Sequence, residues 1–230
     1  MLVALREDAA WVTLIIEHVP GTMPVLPWSG VDLRALITAL DSLARIHAPL
    51  PLPTVGDQFG EDFSGWRVLA AGNEIPAGNE FPAGNEFPAD LPADLARRID
   101  DFADIERGWL RAAEGDALLH GDIRGDNLLI DGGRARLVDW PFACRGDALV
   151  DVVCAAAAVA MQGGPSPQEF VRSTEAGRRA DPEAVRALVV AEAGYFVNAA
   201  RLAPPPGLPT LRAFQRAQAE QFFDWLRALL

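Results

Sequence analysis

The sequence predicts an α+β domain that is mostly helical, with a small β part at its start and one β-hairpin buried inside the helical body. Three observations carry this. The first twenty residues are dense in β-branched side chains that alternate along the chain. Long stretches downstream repeat apolar residues at helical spacing. Between them lies "NLLIDGGRARLVD", two short apolar runs joined by a glycine turn.

The opening segment, "MLVALREDAAWVTLIIEHVPG", reads as two strands with Glu7-Asp8 as the polar turn between them. Val12, Leu14 and Ile16 alternate with Thr13 and Ile15. A two-stranded hairpin is marginal alone, so this one calls for a packed neighbour. A helix is expected over 31–48, where Leu33, Leu36, Leu40, Leu43 and His47 share a face, and His47 reads as a core histidine on that stripe. The prolines of "APLPLPTVGD" end it.

Residues 71–88 repeat a hexad: "AGNEIP", "AGNEFP", "AGNEFP". Glycine and proline in every copy exclude a helix or central strand, and the segment reads as a surface loop lengthened by duplication. Helix resumes near Leu91, with Leu95, Ile99, Phe102, Ile105 and Trp109 in period. Further helices are expected at 147–162, 167–179, 183–202 and 209–230.

Composition narrows the partners. The chain has 230 residues, half of them apolar, and a net charge of −12. An acidic surface repels phosphate backbones and argues against nucleic acid. All 20 basic residues are arginine. Cys144 and Cys154 make no disulfide framework and read as buried free thiols. No signal peptide opens the chain, and its longest apolar run, Val152 to Met161, is too short for a bilayer. A cytoplasmic protein without membrane attachment is the expectation.

The chemistry concentrates in "HGDIRGDNLLIDGGRARLVDW", His120 to Trp140. "ALLHGD" reads as a strand ending at His120; 127–130 and 136–139 read as the hairpin strands, with "DGGR", 131–134, as the turn. Such a hairpin sets its outer ends, Asn127 and Asp139, side by side. An amide oxygen and a carboxylate are hard ligands suited to Mg²⁺. Asp122, on the loop leading in, can accept a proton from an attacking hydroxyl. Arg124 can hold phosphate oxygens. Asp126 and Asp131 read as turn residues. Asp147 fits a helix N-cap; it and Asp151 could instead line an acidic substrate cleft, or merely begin and decorate a helix.

His120-Gly121-Asp122-Ile123-x-x-x-Asn127 resembles the protein-kinase catalytic loop His-Arg-Asp-Leu-x-x-x-Asn. With "VDW" and "RGDALVDVV" behind it, the stretch from Leu118 to Val152 is similar to the aminoglycoside phosphotransferase family and its choline-kinase-like relatives. "LIIEHVPG" resembles that family's last N-lobe strand and hinge.

The resemblance implies a protein-kinase-like fold. Residues 1–20 would be a remnant N-lobe hairpin and hinge; 21–230 would be the helical C-terminal lobe, with 71–88 a loop insert. It implies ATP as co-substrate, Mg²⁺ as cofactor and a small-molecule hydroxyl as acceptor. Asp122 would be the catalytic base, Asn127 and Asp139 the metal ligands, and His120 an orienting residue that hydrogen-bonds the backbone near Asp139. Arg124 would stand on the transferred phosphate, and Glu17, His18 and Val19 would form the nucleotide hinge. Gly121, in place of the kinase arginine, favours a constitutive small-molecule kinase.

The family's glycine-rich loop and its lysine have no counterpart here: no glycine precedes Gly21, and there is no lysine. The chain therefore reads as a C-terminal lobe plus one hairpin. Three expectations follow: an ATP-dependent phosphotransferase, reduced or inactive in this form; a non-catalytic kinase-like protein with weak or no nucleotide binding; or a metal-dependent phosphoesterase.

Overall fold

A computed structural model describes residues 2–8, 10–49, 51–72 and 91–229. The hexad repeat lies outside the described residues from position 73 onward.

β1 (Leu2–Glu7) and β2 (Val12–Ile16) pair antiparallel, with Leu5 opposite Leu14 and Glu7 opposite Val12. Asp8 closes the turn: its Oδ1 accepts the amides of Ala10 and Trp11, each at 3.0 Å. Every residue of β2 is exposed.

Ser29 caps α1 (Gly30–Leu43), which buries Ala35, Leu36, Leu40 and Leu43. The helix stops short of the expected 48, and His47 is exposed rather than in the core. The reason lies in the backbone. Ile46 O accepts from Leu118 N and Ala48 N donates to Asp116 O, so this segment bonds a neighbouring strand and leaves the helical ladder.

α2 (Val55–Phe59) starts on a Thr54/Asp57 capping box, and α3 (Gly65–Ala70) follows. The helix expected from Leu91 to Trp109 is three pieces: α4 (Ala93–Ala96), α5 (Ile99–Glu106) and α6 (Trp109–Ala112). The apolar period survives the breaks, since Leu95, Ile99, Phe102 and Trp109 are all buried. Glu106, fully buried, serves the first turn of α3: it accepts the amides of Trp66 and Arg67 at 3.0 and 3.1 Å. Burial raises its pKa, with those bonds and the Arg67 guanidinium pulling the other way.

β3 (Ala117–Leu119) pairs with β6 (Cys144–Gly146), while β4 (Leu128–Asp131) and β5 (Arg134–Leu137) form the internal hairpin. The strands are shifted from the expected 127–130 and 136–139. Gly132 and Gly133 both have positive φ, +56° and +77°, the backbone of a two-residue turn. The ladder therefore runs up to Asp131 and Arg134.

The remaining helices are α7 (Leu149–Met161), α8 (Pro167–Ser173), α9 (Glu175–Arg179), α10 (Pro182–Ala199) and α11 (Leu211–Ala228). The single helix expected at 167–179 breaks at Thr174. Its buried hydroxyl donates to Val171 O and accepts from Gly177 N, ending one helix and capping the next. α7 is apolar almost all round, as a helix in the middle of a core must be. α10 packs beside it, and the Trp66 indole donates to Val190 O at 2.7 Å.

Candidate active site

The loop between β3 and β4 is held from beneath by α7. Asp151, 2 % exposed, accepts the amide of His120 at 2.7 Å with one carboxylate oxygen and that of Gly121 at 2.9 Å with the other. It neither lines a cleft nor merely decorates its helix, the two alternatives its sequence position offered. Its place in an apolar run, "LVDVVCAAAAVA", was the available signal: a charge there needs partners. Asp147 accepts the Leu149 amide at 2.8 Å from one residue before the N-cap, Ala148, so it braces the helix start without being the cap expected of it.

Gly121 has φ +79°, and a Cβ there would meet Phe142 and Phe59 atoms at 2.8 to 2.9 Å. Only glycine fits that turn. The His120 ring is buried under Trp140, ring centres 4.5 Å apart, with Nε2 3.0 Å from Val138 O.

Asp122 follows, about one-quarter exposed. The Asn127 amide donates to its carbonyl at 2.8 Å and to its Oδ2 at 3.0 Å. Asn127 thereby spends its NH₂ on the loop and keeps its oxygen for other use. Burial raises the Asp122 pKa, opposed by the Arg124 charge and the Asn127 bond.

At the hairpin mouth Val138 N donates to Asn127 O, so Asn127 stands opposite Val138, one residue from the expected partner Asp139. Asp139 itself has φ +64°. Aspartate is among the few non-glycine residues that take this left-handed backbone readily, because its short polar side chain tolerates it. Among the described residues no hydrogen bond reaches its carboxylate.

Arg124 is already engaged. It forks onto Asp126 at 3.0 and 3.1 Å, reaches Asp122 at 3.3 Å, and lies 5.7 Å from the Phe214 ring centre. Glu17, His18 and Val19 follow β2, with Glu17 and His18 exposed. They connect to the hairpin through Thr22, which exchanges two backbone bonds with Ile130, 3.1 and 2.8 Å. Gly21 makes that approach possible: at φ +133° a Cβ would sit 2.9 Å from Ile130 O.

Beside Asp122 opens a cavity of about 260 Å³. Its walls include Phe59, Asp62, Phe63, Phe142, Cys154, Glu192, Tyr195 and Phe214. Reasoning from sequence assigned none of these to a site, because they come from five separate segments. Burial pushes Glu192 up to about 7, and the Asp62 and Asp122 charges add to it. Both thiols are free and, pushed up by burial, poor nucleophiles, Cys144 at about 12.

The model of the phosphotransferase enzyme family matches residues 2–188. The chain belongs to this family. Its fold is the protein-kinase-like one, as three solved structures of phosphotransferase type show. A choline/ethanolamine kinase family protein from Mesorhizobium loti aligns over 100 % of this chain and 73 % of its own, at 19 % identity and TM-score 0.58. A Plasmodium vivax ethanolamine kinase aligns over 98 % and 68 %, at 13 % identity and TM-score 0.55. An ADP-bound aminoglycoside phosphotransferase aligns over 95 % and 76 %, at 14 % identity and TM-score 0.53. No curated protein matches by sequence. Membership of the family supports phosphotransferase chemistry in general; the three structures show the fold. Among the described residues no helix is long and apolar enough to cross a membrane.

Proposed function

We propose that the protein transfers the γ-phosphoryl group of ATP to a hydroxyl of a small molecule, in the cytoplasm, with Asp122 as the base. The observation that carries this is the loop 120–127. Asp151 holds the His120 and Gly121 amides just before Asp122, Asn127 holds the Asp122 carbonyl and carboxylate, and that carboxylate borders a cavity sized for a small ligand. The ADP bound in the aminoglycoside phosphotransferase neighbour supports ATP as donor.

In this reading Asn127 and Asp139 hold Mg²⁺. The fit is chemical: a free amide oxygen and a carboxylate without a hydrogen-bond partner among the described residues, both hard donors. No group of three or more His, Cys, Asp or Glu side chains able to hold a metal occurs among the described residues. Any cation here would therefore take the rest of its shell from water and phosphate, as Mg²⁺ commonly does. When bound, it would neutralise charge on the transferred group. The same observation gives the phosphoesterase reading no support, because a two-metal hydrolase needs more ligands.

His120 keeps the strand before Asp139 in place. Asp122 orients the acceptor hydroxyl and takes its proton as the oxygen attacks phosphorus. Arg124 would meet phosphate oxygens once it exchanges Asp126 for them. Glu17, His18 and Val19 border the nucleotide, with 1–20 as the hairpin and hinge and 21–230 as the helical lobe.

A second reading, a non-catalytic kinase-like protein, is favoured by one observation: no lysine exists in these 230 residues to grip the phosphates. Acceptor-dependent ADP release across a panel of hydroxyl compounds tests both readings. Turnover should fall by about 10²–10⁴ in Asp122→Asn, the usual scale for losing a general base. Equal turnover in the variant rejects the assignment of Asp122. No turnover with any acceptor selects the non-catalytic reading.

A further inference from the structure

Arg124 has no free edge. A guanidinium carries its N–H groups in a planar fork that takes a carboxylate or a phosphate along one edge at a time. The edge made by Nε and Nη2 lies on the Asp126 carboxylate, at 3.0 and 3.1 Å. Nη1, on the next edge, reaches Asp122 Oδ1 at 3.3 Å. The flat face lies over the Phe214 ring of α11. A phosphate arriving here meets donors that already face carboxylates, and it must displace one of them.

Two facts pick out Asp126 as the partner that leaves. The first is exposure. The Asp126 side chain is 58 % exposed and that of Arg124 28 %. The carboxylate returns to water at little cost, whereas the largely buried guanidinium needs another anion in its place. Asp122 is less free to go, because the Asn127 amide holds both its carbonyl and its Oδ2. The second fact is locality. Arg124 and Asp126 flank Gly125 in a tight turn, where the Asn127 backbone N–H donates to Arg124 O at 3.1 Å. α7 presses on that turn from behind: a Cβ at Gly125 would meet Gln162 Oε1 at 3.0 Å. The fork therefore opens by side-chain rotation, with the loop that carries Asp122 unmoved.

We propose that Asp126 is a built-in competitor for phosphate. Its fork on Arg124 and the binding of a nucleotide's phosphates exclude one another, so the empty protein holds its own phosphate grip shut. That the phosphate is the one transferred rests on the phosphotransferase reading; the competition itself does not. Asp126 acts through Arg124 and touches no reacting atom. It sets how much of the nucleotide's binding energy is spent on opening the fork.

The test is a double-mutant cycle read by calorimetry at fixed salt. ATP with excess Mg²⁺ is titrated into the unmodified 230-residue protein, Asp126→Asn, Arg124→Gln and the double variant. Asp126→Asn should tighten ATP binding by about fivefold, the upper end of the range for a water-exposed ion pair. In the Arg124→Gln background the same change should alter Kd by less than about twofold. Simple repulsion between Asp126 and phosphate would act equally in both backgrounds, and so would any effect of Asp126 on the cation. A second measurement reads the arginine itself. The Nε–H resonance of Arg124, identified by its loss in Arg124→Gln, should move when ATP saturates the unmodified protein.

Unchanged or weaker binding in Asp126→Asn, equal tightening in both backgrounds, an Arg124 resonance that ignores ATP, or no ATP binding by the unmodified protein and Asp126→Asn alike each overturns the proposal. ADP release measured alongside separates the two levels. Tighter binding in Asp126→Asn with no turnover of any acceptor retains the competitor and rejects phosphoryl transfer. Turnover with the same Kd in Asp126→Asn as in the unmodified protein does the reverse.

Discussion

The molecule contains two β-hairpins of similar length and opposite circumstance. In β1–β2 the side chains of Val3, Leu5, Val12, Leu14, Ile15 and Ile16 are each more than half exposed, and Trp11 is 74 % exposed. In β4–β5 Leu128 is fully buried, Ile130 and Leu137 pack on the core, and the hairpin lies against α1. Both have the alternation and turn chemistry that make a hairpin. Only the second has a body to press against, and only the second brings two candidate ligands to its mouth. Local pattern makes the ribbon; burial decides whether it can position anything.

That contrast can be broken by measurement, beginning where the effect should be largest. Asp151→Ala leaves the buried amides of His120 and Gly121 without acceptors. It should cost about 2–6 kcal/mol in urea unfolding, at 1–3 kcal/mol for each orphaned donor. A loss below 1 kcal/mol would mean the internal hairpin's approach loop is not held by the core.

The next effect is a pH slope. The Glu192 carboxyl rises from its ordinary 4.5 to about 7 on folding. Between those values the folded state keeps a proton that the unfolded state has lost, so stability should fall as pH rises from 4.5 to 7. The fall is at most about 3 kcal/mol, and above pH 7 it is complete. Glu192→Gln should flatten this slope, whereas Leu14→Thr on the exposed hairpin should leave it intact. A slope unchanged by Glu192→Gln would place the titration elsewhere.

Smaller still is Gly133→Ala. A Cβ there meets nothing within 4 Å, so only the positive φ of +77° opposes it, about 1–2 kcal/mol by thermal melting. The smallest change is Leu14→Thr itself. An exposed strand residue with no packed partner should shift stability by no more than about 0.5 kcal/mol. A loss above 1.5 kcal/mol would show that the first hairpin is packed in solution, and the contrast would collapse.

Much of this was legible in the sequence, and the failures have physical causes. Both hairpins, the long helices and the cluster 120–139 follow from period and turn residues. The helix over 31–48 was drawn too long because spacing alone cannot see that Ile46 and Ala48 bond β3 and Asp116. The hairpin register was misplaced by one position because two glycines with positive φ tighten the turn. His47 went from core to surface for the same reason that its helix ended early. Asp151 and Glu192 each interrupt an apolar helix, a visible anomaly, but what they touch depends on segments 30 or more residues away. The cavity was illegible, since α2, α7, α10 and α11 each contribute to it and none announces the others.

One contact has a consequence for hydrogen exchange. The amides of His120 and Gly121 belong to a loop, the class of structure that usually exchanges through small local openings. Here both point into a carboxylate rooted in the most buried helix of the molecule. Solvent deuterium reaches them only when α7 parts from the loop. Their protection should track that of α7, so the slowest-exchanging protons would include two from the segment that presents Asp122.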